Sequence, residues 1–169
     1  MALVLAITGK SDAGKTFLIN RLVPEMKKRG YKVAAVKYCP HGFDLDIEGK
    51  DSWNFTEAGA EGILLESPSR LGLIRPKSNA AGSLNEVAEY YLADFDLVLA
   101  EGFVQDVSTR RIEILRKGIS EELESPPGKL IAVIADFAFP VDKLTFNPYD
   151  LSNIADFIEK AIKENRESK

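Results

Sequence analysis

An octapeptide close to the N-terminus restricts the possible folds of this chain more than any other segment. Residues 9–16 read Gly-Lys-Ser-Asp-Ala-Gly-Lys-Thr and match the pattern GxxxxGK[ST] in full. Gly9 and Gly14 permit backbone dihedral angles that wrap a loop around an anion. Lys15 can reach the β- and γ-phosphates of a nucleoside triphosphate, and the Thr16 hydroxyl can ligate Mg²⁺. The pattern predicts nucleotide contacts from Gly9, Asp12, Ala13, Gly14, Lys15, Thr16 and Phe17.

The segments on both sides of this loop support the interpretation. Residues 3–8 are continuously apolar, which predicts a strand buried on both faces. Residues 15–29 have helical spacing, so the loop meets the positive end of a helix dipole. Pro24 predicts a kink or an early end near Val23, and Gly30 suits the C′ position. We expect Asp12 to point outward to solvent, because a triphosphate repels its carboxylate.

Further apolar segments of strand length alternate with helical ones, which predicts βα units. Strands are predicted at residues 32–38, 62–66, 71–75, 96–101, 111–116 (half-exposed) and 130–135. A loop is predicted at 39–55, one or two helical turns at 56–62, and helices at 83–94 and 151–165. Ser83 and Glu86 have the spacing of a capping box. The predicted class is an α/β, three-layer P-loop NTPase domain with a mostly parallel sheet flanked by helices. It would span residues 1–165 as a single domain, with a frayed tail at 166–169.

A P-loop fold also needs an acid at the end of a neighbouring strand to hold the Mg²⁺ hydration shell. Residues 96–101 form an apolar strand that ends in Glu101, and Gly102 allows close backbone approach. Asp96 opens the same strand at the opposite end of the sheet and is the poorer candidate. Glu101 is therefore predicted to share the metal with Thr16, although a surface Glu at a strand exit is the alternative.

Composition limits the partners and the location of the protein. The net charge is −4 over 169 residues, which argues against sequence-independent binding to DNA or RNA. The single cysteine leaves no intramolecular disulfide and is typical of a reducing compartment. The apolar start lacks a basic leader and is too short to span a bilayer. We expect a cytoplasmic protein without a nucleic-acid or membrane partner.

Four places in the sequence together resemble one known family. They are the P-loop; Lys37 with the segments 41–46, 49–52 (Gly-Lys-Asp-Ser) and 57–60; the strand 97–102; and the strand 111–116. In this order, over residues 3–136, they resemble the MobB family of molybdopterin-guanine dinucleotide biosynthesis adaptor proteins. This combination is far more specific than a P-loop alone.

The resemblance implies a GTP-binding adaptor with weak GTPase activity at most. Its implied partner is the guanylyltransferase that joins GMP to molybdopterin, with molybdopterin as a possible cargo and a homodimer as a possible assembly. Two positions depart from the family pattern. Tyr38 stands where the family commonly has His, and Arg111 stands where Lys is usual.

The loop after the second strand is rich in acids, with Asp44, Asp46, Asp51 and Ser52 close together. Ligands in such folds lie at the carboxyl ends of the strands, where this loop begins. Asp51, with Ser52, is a candidate for positioning water or Mg²⁺ near the γ-phosphate, and hence the candidate catalytic residue. A solvated acidic loop is the alternative. Composition favours that alternative. The family resemblance favours a functional role for Asp51 and does not decide the role of Asp44.

Lys37, His41 and Asp46 are candidate contacts to cargo or partner. Lys37 ends a strand predicted to be buried, so its charge needs a phosphate or one of the aspartates as a partner. Cys39 and His41 are the only Cys and His, too few for a zinc site without carboxylates or a second chain. We expect His41 to order the loop instead.

Base recognition rests on Asp136, which follows the strand at 130–135. GTP-binding proteins of this fold place a carboxylate there to accept from guanine N1–H and N2–H₂, although Asp is also an ordinary turn residue. The chain has no NKxD motif. Arg110, Arg111 and Arg116 are predicted to form a basic cluster that meets an anionic pterin or an acidic partner. A charged edge strand is the alternative.

Two other functions compete with a GTP-binding adaptor. A P-loop small-molecule kinase would use ATP or GTP and needs an Arg-rich lid, for which 103–111 is a short candidate. A switch protein like a small GTPase is the third possibility, and the missing NKxD motif argues against it.

Overall fold

The computed structural model of the protein describes residues 1–43, 46–76 and 82–167. It divides the chain into two compact units. The first unit comprises Met1–Tyr38 and Gly82–Lys169, and the second comprises Cys39–Ala81. The second unit is thus inserted into the sequence of the first, a division that the prediction of one domain over residues 1–165 did not include.

The elements follow one another along the chain as twelve main segments among the described residues. They are β1 (Leu3–Thr8), α1 (Lys15–Lys28), β2 (Val33–Lys37), α2 (Asp51–Glu57), β3 (Ile63–Ser67), β4 (Arg70–Ile74), α3 (Leu84–Tyr91), β5 (Leu97–Glu101), β6 (Arg111–Leu115), β7 (Leu130–Ala135), β8 (Leu144–Phe146) and α4 (Leu151–Glu167). A short 3-10 helix, Pro127–Lys129, precedes β7.

The first unit is built on a parallel sheet with helices on both faces. Within the described residues the sheet has six strands in the order β2-β5-β1-β6-β7-β8. Alternate side chains of β1 serve opposite faces: Leu5 and Ile7 join the core against α1 and α4, whereas Val4 and Ala6 pack with α3. The predicted three-layer α/β class is therefore confirmed.

The helix after the P-loop does not end early at Pro24. Helix α1 continues to Lys28 with Pro24 inside it, so the prediction of an end near Val23 is wrong. Leu22 and Met26 on either side are fully buried, and burying each contributes about 1.5–3 kcal/mol. Together these terms offset the cost of an interior proline, about 3 kcal/mol. Gly30 ends the helix at φ 88° as predicted, with its N–H bonded to the Lys27 carbonyl.

Strand β6 is fully buried, although we predicted a half-exposed strand. It lies between β1 and β7, so it is not an edge strand. Its alternating charges gave an amphipathic pattern, but inside the fold backbone groups form hydrogen bonds with both charged side chains, and the Arg111 Nε is left without a partner among the described residues. The Glu113 carboxylate accepts from the N–H groups of Glu124 (2.6 Å) and Ser125 (3.0 Å), and Arg111 donates to backbone carbonyls.

The other elements of the first unit follow the predictions with small shifts. Helix α3 begins after Ser83, and both hydrogen bonds of the predicted capping box are present. Helix α4 continues to Glu167, so residues 166–167, which we expected to fray, are helical. The short strand β8 was not predicted, because a three-residue segment that is mostly exposed gives little periodicity.

The second unit contains α2 and the antiparallel hairpin β3–β4. Both predicted strands of the hairpin are confirmed. The predicted loop at 39–55 and helical turns at 56–62 are wrong in their boundary, because α2 already begins at Asp51. None of the residues in this helix is buried, so it has no apolar stripe that sequence periodicity could detect.

Candidate nucleotide site

The P-loop has the backbone conformations that its glycines predict. Gly9 has φ 130° and Gly14 has φ 104°, and Gly14 is also the N-cap of α1. A Cβ at Gly9 would lie 2.5 Å from the Ile114 carbonyl oxygen, so β6 packs against the loop too closely for any side chain. Asp12 adopts φ 62°, a conformation that Asp tolerates better than most residues. Asp12 is exposed, in agreement with the predicted outward orientation.

The ammonium group of Lys15 is held over the P-loop. Its Nζ donates to the carbonyl oxygens of Gly9 at 2.8 Å and Lys10 at 2.7 Å. These bonds fold a long, flexible side chain back along the loop, where GxxxxGK[ST] loops bind phosphate. The charge has no carboxylate partner among the ion pairs of the described residues. Lys15 is therefore available for an anion.

Thr16 and Glu101 meet at the carboxyl edge of the sheet. The Thr16 hydroxyl donates to Glu101 Oε2 at 2.8 Å. Strand β5 lies beside β1 with Glu101 opposite Ile7, which places the acid next to the P-loop. Asp96 lies at the other end of β5 and is bonded to Lys32 N–H and to Arg166. The two metal candidates are therefore together, and Asp96 is not with them.

The donor set at this edge suits Mg²⁺. Hydroxyl and carboxylate oxygens are the hard ligands that Mg²⁺ takes, usually with several waters and the substrate phosphates completing its octahedron. The described part of the chain has no cluster of three or more His, Cys, Asp or Glu residues that could hold a metal alone. Thr16 and Glu101 therefore fit a Mg²⁺ ion whose other ligands would be water and the oxygens of a bound triphosphate.

A cavity lies beside the beginning of α1, and the predicted base residue lines it. Asp136, Arg116, Phe17 and Tyr149 all line it. Asp136 Oδ1 accepts from the Lys117 N–H at 2.8 Å, which fixes the carboxylate while its second oxygen can accept from a ligand. The cavity adjoins the P-loop through Ala13 and Gly14. The phosphate, metal and base candidates of the sequence are thus adjacent in the first unit.

The predicted arginine cluster does not form. Arg111 is fully buried, with its guanidinium donating to the carbonyls of Val104 and Asp106. Arg110 lines a cavity with Leu3 and Lys129, at the amino ends of β1 and β7. Only Arg116 lies at the carboxyl edge, in the base cavity. Strand β6 places Arg110 and Arg116 at opposite edges of the sheet, and Arg111, its first residue, is buried between β1 and β7.

Lys37 lies at the carboxyl edge but is not buried, contrary to the prediction. Strand β2 is an edge strand of the sheet, and Lys37 is exposed at its end, in register with Glu101. Its continuous apolar run, Val-Ala-Ala-Val, has the pattern of an interior strand. An exposed ammonium group needs no protein partner, so its charge alone does not require a phosphate there.

The remaining predicted residues belong to the second unit. His41 is exposed and Cys39 is partly exposed. Asp46 Oδ1 accepts from the Ser52 hydroxyl at 2.8 Å and from the Ile47 N–H at 2.9 Å, so Asp46 ties the loop to the start of α2. Asp51 is an exposed acid in the first turn of that helix. Asp44 lies outside the described residues.

Sequence reasoning missed one aromatic residue that lines the base cavity. Tyr149 belongs to the base cavity, and its only sequence signal is the turn Asn147-Pro-Tyr before α4. The Arg21 guanidinium lies 5.2 Å from the Phe17 ring centroid and donates to the Pro148 carbonyl, which links α1 to the same wall. Such contacts join segments far apart in sequence, and no local pattern predicts them.

A parallel sheet whose first strand runs into a GxxxxGK[ST] loop, with an acid at the end of the adjacent strand, defines a domain of the P-loop NTPase fold. The family model described as "Molybdopterin guanine dinucleotide synthesis protein B", MobB, matches residues 4–136. The chain therefore belongs to the MobB family.

Known proteins agree with this assignment. The molybdopterin-guanine dinucleotide biosynthesis adapter protein of Haemophilus influenzae is 32% identical over 157 residues, covering 92% of this chain and 87% of that protein. The adapter protein of Escherichia coli is 29% identical over 163 residues, covering 92% and 90%. A crystal structure of molybdopterin-guanine biosynthesis protein B is 34% identical, with a TM-score of 0.76 and coverage of 95% and 99%. Bacillus subtilis MobB, 23% identical with a TM-score of 0.71 and coverage of 90% and 96%, shares the fold.

None of the helices in the described ranges combines the length and the apolar character that crossing a membrane requires.

Proposed function

We propose that this protein is a Mg²⁺-dependent GTP-binding adaptor in molybdenum cofactor biosynthesis, with weak GTPase activity at most. It would assist the guanylyltransferase that attaches GMP to molybdopterin. The observation that carries the proposal is the 2.8 Å contact between Thr16 and Glu101 beside a complete P-loop. Family membership links this site to molybdopterin guanine dinucleotide synthesis.

In the proposed complex, the P-loop backbone and Lys15 bind the phosphates, and Thr16 and Glu101 hold Mg²⁺. The metal ion would neutralise phosphate charge and fix the triphosphate conformation. Asp136 would accept from the guanine ring across the cavity beside α1. Asp51 is proposed to position water for slow hydrolysis, and hydrolysis at the wild-type rate by Asp51→Ala would remove that assignment.

The base preference is tested by calorimetric titration with GTP and with ATP, each with Mg²⁺. A carboxylate that accepts hydrogen bonds contributes about 1.5–3 kcal/mol, so we expect at least about tenfold tighter binding of GTP. Asp136→Asn should remove this preference and leave ATP affinity unchanged, since the Asn Oδ1 can keep the bond from Lys117 N–H. Tighter binding of ATP by the wild type would contradict the proposal.

The metal role is tested by Glu101→Gln, which preserves size and an acceptor for the Thr16 hydroxyl but removes the charge. We expect about a tenfold loss of the GTP affinity measured with Mg²⁺, because a neutral amide is a poor partner for the metal shell. The affinity measured in EDTA should not change. Glu122→Gln changes an exposed acid of equal charge and serves as the matched control. Equal losses with and without Mg²⁺ would assign Glu101 a purely structural role.

The kinase alternative gains no support from the candidate lid. Arg111 is fully buried and Arg110 lies at the amino edge of the sheet, so neither has the position of a lid arginine.

We further propose a cytoplasmic location, because a single cysteine is typical of proteins from a reducing compartment.

We also propose that the protein forms a homodimer through its second unit. In the second unit, Leu64, Leu71 and Leu73 are 58%, 67% and 46% exposed on one face of the hairpin, by register. A two-stranded sheet is marginally stable alone, and the same leucines of a second copy could cover this face. Sedimentation velocity at micromolar protein concentration should show a species of twice the chain mass of 18.7 kDa. A monomer at that concentration would contradict the proposed homodimer.

A further inference from the structure

Two aromatic rings stand together at the carboxyl edge of the first unit. Tyr38 follows β2 directly, and Phe103 comes two residues after Glu101. Their ring centroids are 5.3 Å apart with an interplanar angle of 49°. Tyr38 is 54% exposed, whereas Phe103 packs against the core beneath α3. We call this pair the aromatic platform.

The backbone at the platform adopts an unusual conformation. Gly102 has φ 92°, and Phe103 has φ 59°, which is uncommon for a bulky residue. A Cβ at Gly102 would lie 3.3 Å from the Tyr38 Cβ, a tight contact that adds to the preference of this left-handed position for glycine. The Tyr38 N–H is also bonded to the Glu101 carbonyl at 3.0 Å. A strained residue that persists beside a functional group is a reason to look for a function.

The platform is separate from the proposed nucleotide pocket. The base cavity lies on the β6–β7 side of β1, lined by Ile114 and Ile134. The platform lies on the other side of β1, at the ends of β2 and β5. Glu101 stands between the two, so the platform flanks the metal end of the triphosphate. The exposed ammonium of Lys37, in register with Glu101, adds a cation to the same edge.

We propose that the aromatic platform stacks the planar heteroaromatic ring of a second small ligand, a pterin, beside the bound nucleotide. This inference rests on the proposed function, which names GTP as the nucleotide and molybdopterin, a pterin, as the compound that receives GMP. An exposed tyrosine braced by a second ring offers a flat apolar face, and aromatic side chains bind heterocyclic bases by stacking. Lys37 would favour an anionic substituent on that ligand.

The experiment titrates the protein with free pterin in the presence of Mg²⁺ and GTP, and follows quenching of pterin fluorescence. We expect saturable binding that Tyr38→Leu weakens about tenfold or more and Tyr38→Phe preserves within about twofold, because stacking needs the ring and not the hydroxyl. Tyr90→Leu is the matched control. Tyr90 is 74% exposed and pairs with Tyr91 at 4.7 Å. It lies at the end of α3 that leads into the amino end of β5, whereas the platform lies at the carboxyl end of that strand.

MgGTP affinity is measured for each variant in parallel and should stay unchanged in Tyr38→Leu. Normal MgGTP binding with no saturable pterin binding would overturn the platform and leave the proposed function intact. Pterin binding that depends on Tyr38, without any MgGTP binding, would support the platform and reject the proposed function. Equal losses in Tyr38→Leu and Tyr90→Leu would overturn the platform. The platform would also be overturned if Tyr38→Leu kept its affinity for pterin but no longer bound the guanylyltransferase. Tyr38 would then be a contact to the partner protein.

Discussion

Lys15→Ala should bind MgGTP at least about 100-fold more weakly than the wild type. The Lys15 ammonium group lies over the P-loop, bonded to the carbonyls of Gly9 and Lys10. With nucleotide bound, the same group would bond phosphate oxygens, and each charged hydrogen bond contributes about 1.5–3 kcal/mol. Losing two such bonds corresponds to a factor of about 100 or more.

Calorimetric titration of Lys15→Ala with MgGTP measures this effect, and Lys27→Ala is the control. Lys27 is in the last turn of α1, so its replacement removes the same charge far along the helix from the loop. The thermal stability of Lys15→Ala should remain close to that of the wild type without nucleotide, because its side-chain bonds in the described residues go only to exposed or partly buried loop carbonyls. An affinity within threefold of the wild type would exclude Lys15 from phosphate binding.

Local chemistry explains why the core of the site could be predicted. The P-loop, the helix after it and the acid at the end of β5 are all encoded within short segments. Glycines at fixed spacing determine the loop, and a continuous apolar run determines a buried strand. In a parallel sheet the strand ends share one edge, so Glu101 had to lie near Thr16 once β5 was placed beside β1. The 2.8 Å contact between the two follows from this order.

The errors concern residues whose environment depends on distant segments. Arg111 and Glu113 gave β6 the pattern of a half-exposed strand. Both are fully buried, and loop backbone groups at residues 104–106 and 124–125 form hydrogen bonds with them. Sequence periodicity detects the polarity of a side chain but not the partner that compensates its burial. The same limitation explains why the exposure of Lys37 was not predicted, since the apolar sequence of β2 does not show that it is an edge strand.

The second unit was the hardest to predict because its elements bury little. Helix α2 has no buried residue, and in the hairpin Ile63 is the buried hydrophobic residue among the described positions. Apolar periodicity reports burial, so it is weak where side chains remain exposed. The boundary of α2 depends instead on a local bond: the Ser52 hydroxyl donates to Asp46 six positions earlier. No sequence template used for helix starts contains that spacing.

Gly9→Ala should destabilise the protein by about 3 kcal/mol or more, the sum of a strained backbone and an overpacked contact. Gly9 has φ 130°, and an added Cβ would lie 2.5 Å from the Ile114 carbonyl oxygen. Neither partner can move away easily, because β1 and β6 are both interior strands.

Urea unfolding of Gly9→Ala and Gly128→Ala provides the comparison. Gly128 has no left-handed φ, and a Cβ there would meet no heavy atom within 4 Å. Its replacement should therefore change the free energy of unfolding by less than about 1 kcal/mol. If Gly9→Ala unfolds at the wild-type midpoint, β6 does not pack against the P-loop as closely as described. If it is destabilised as expected, the loop conformation is enforced by the neighbouring strand even before a nucleotide binds.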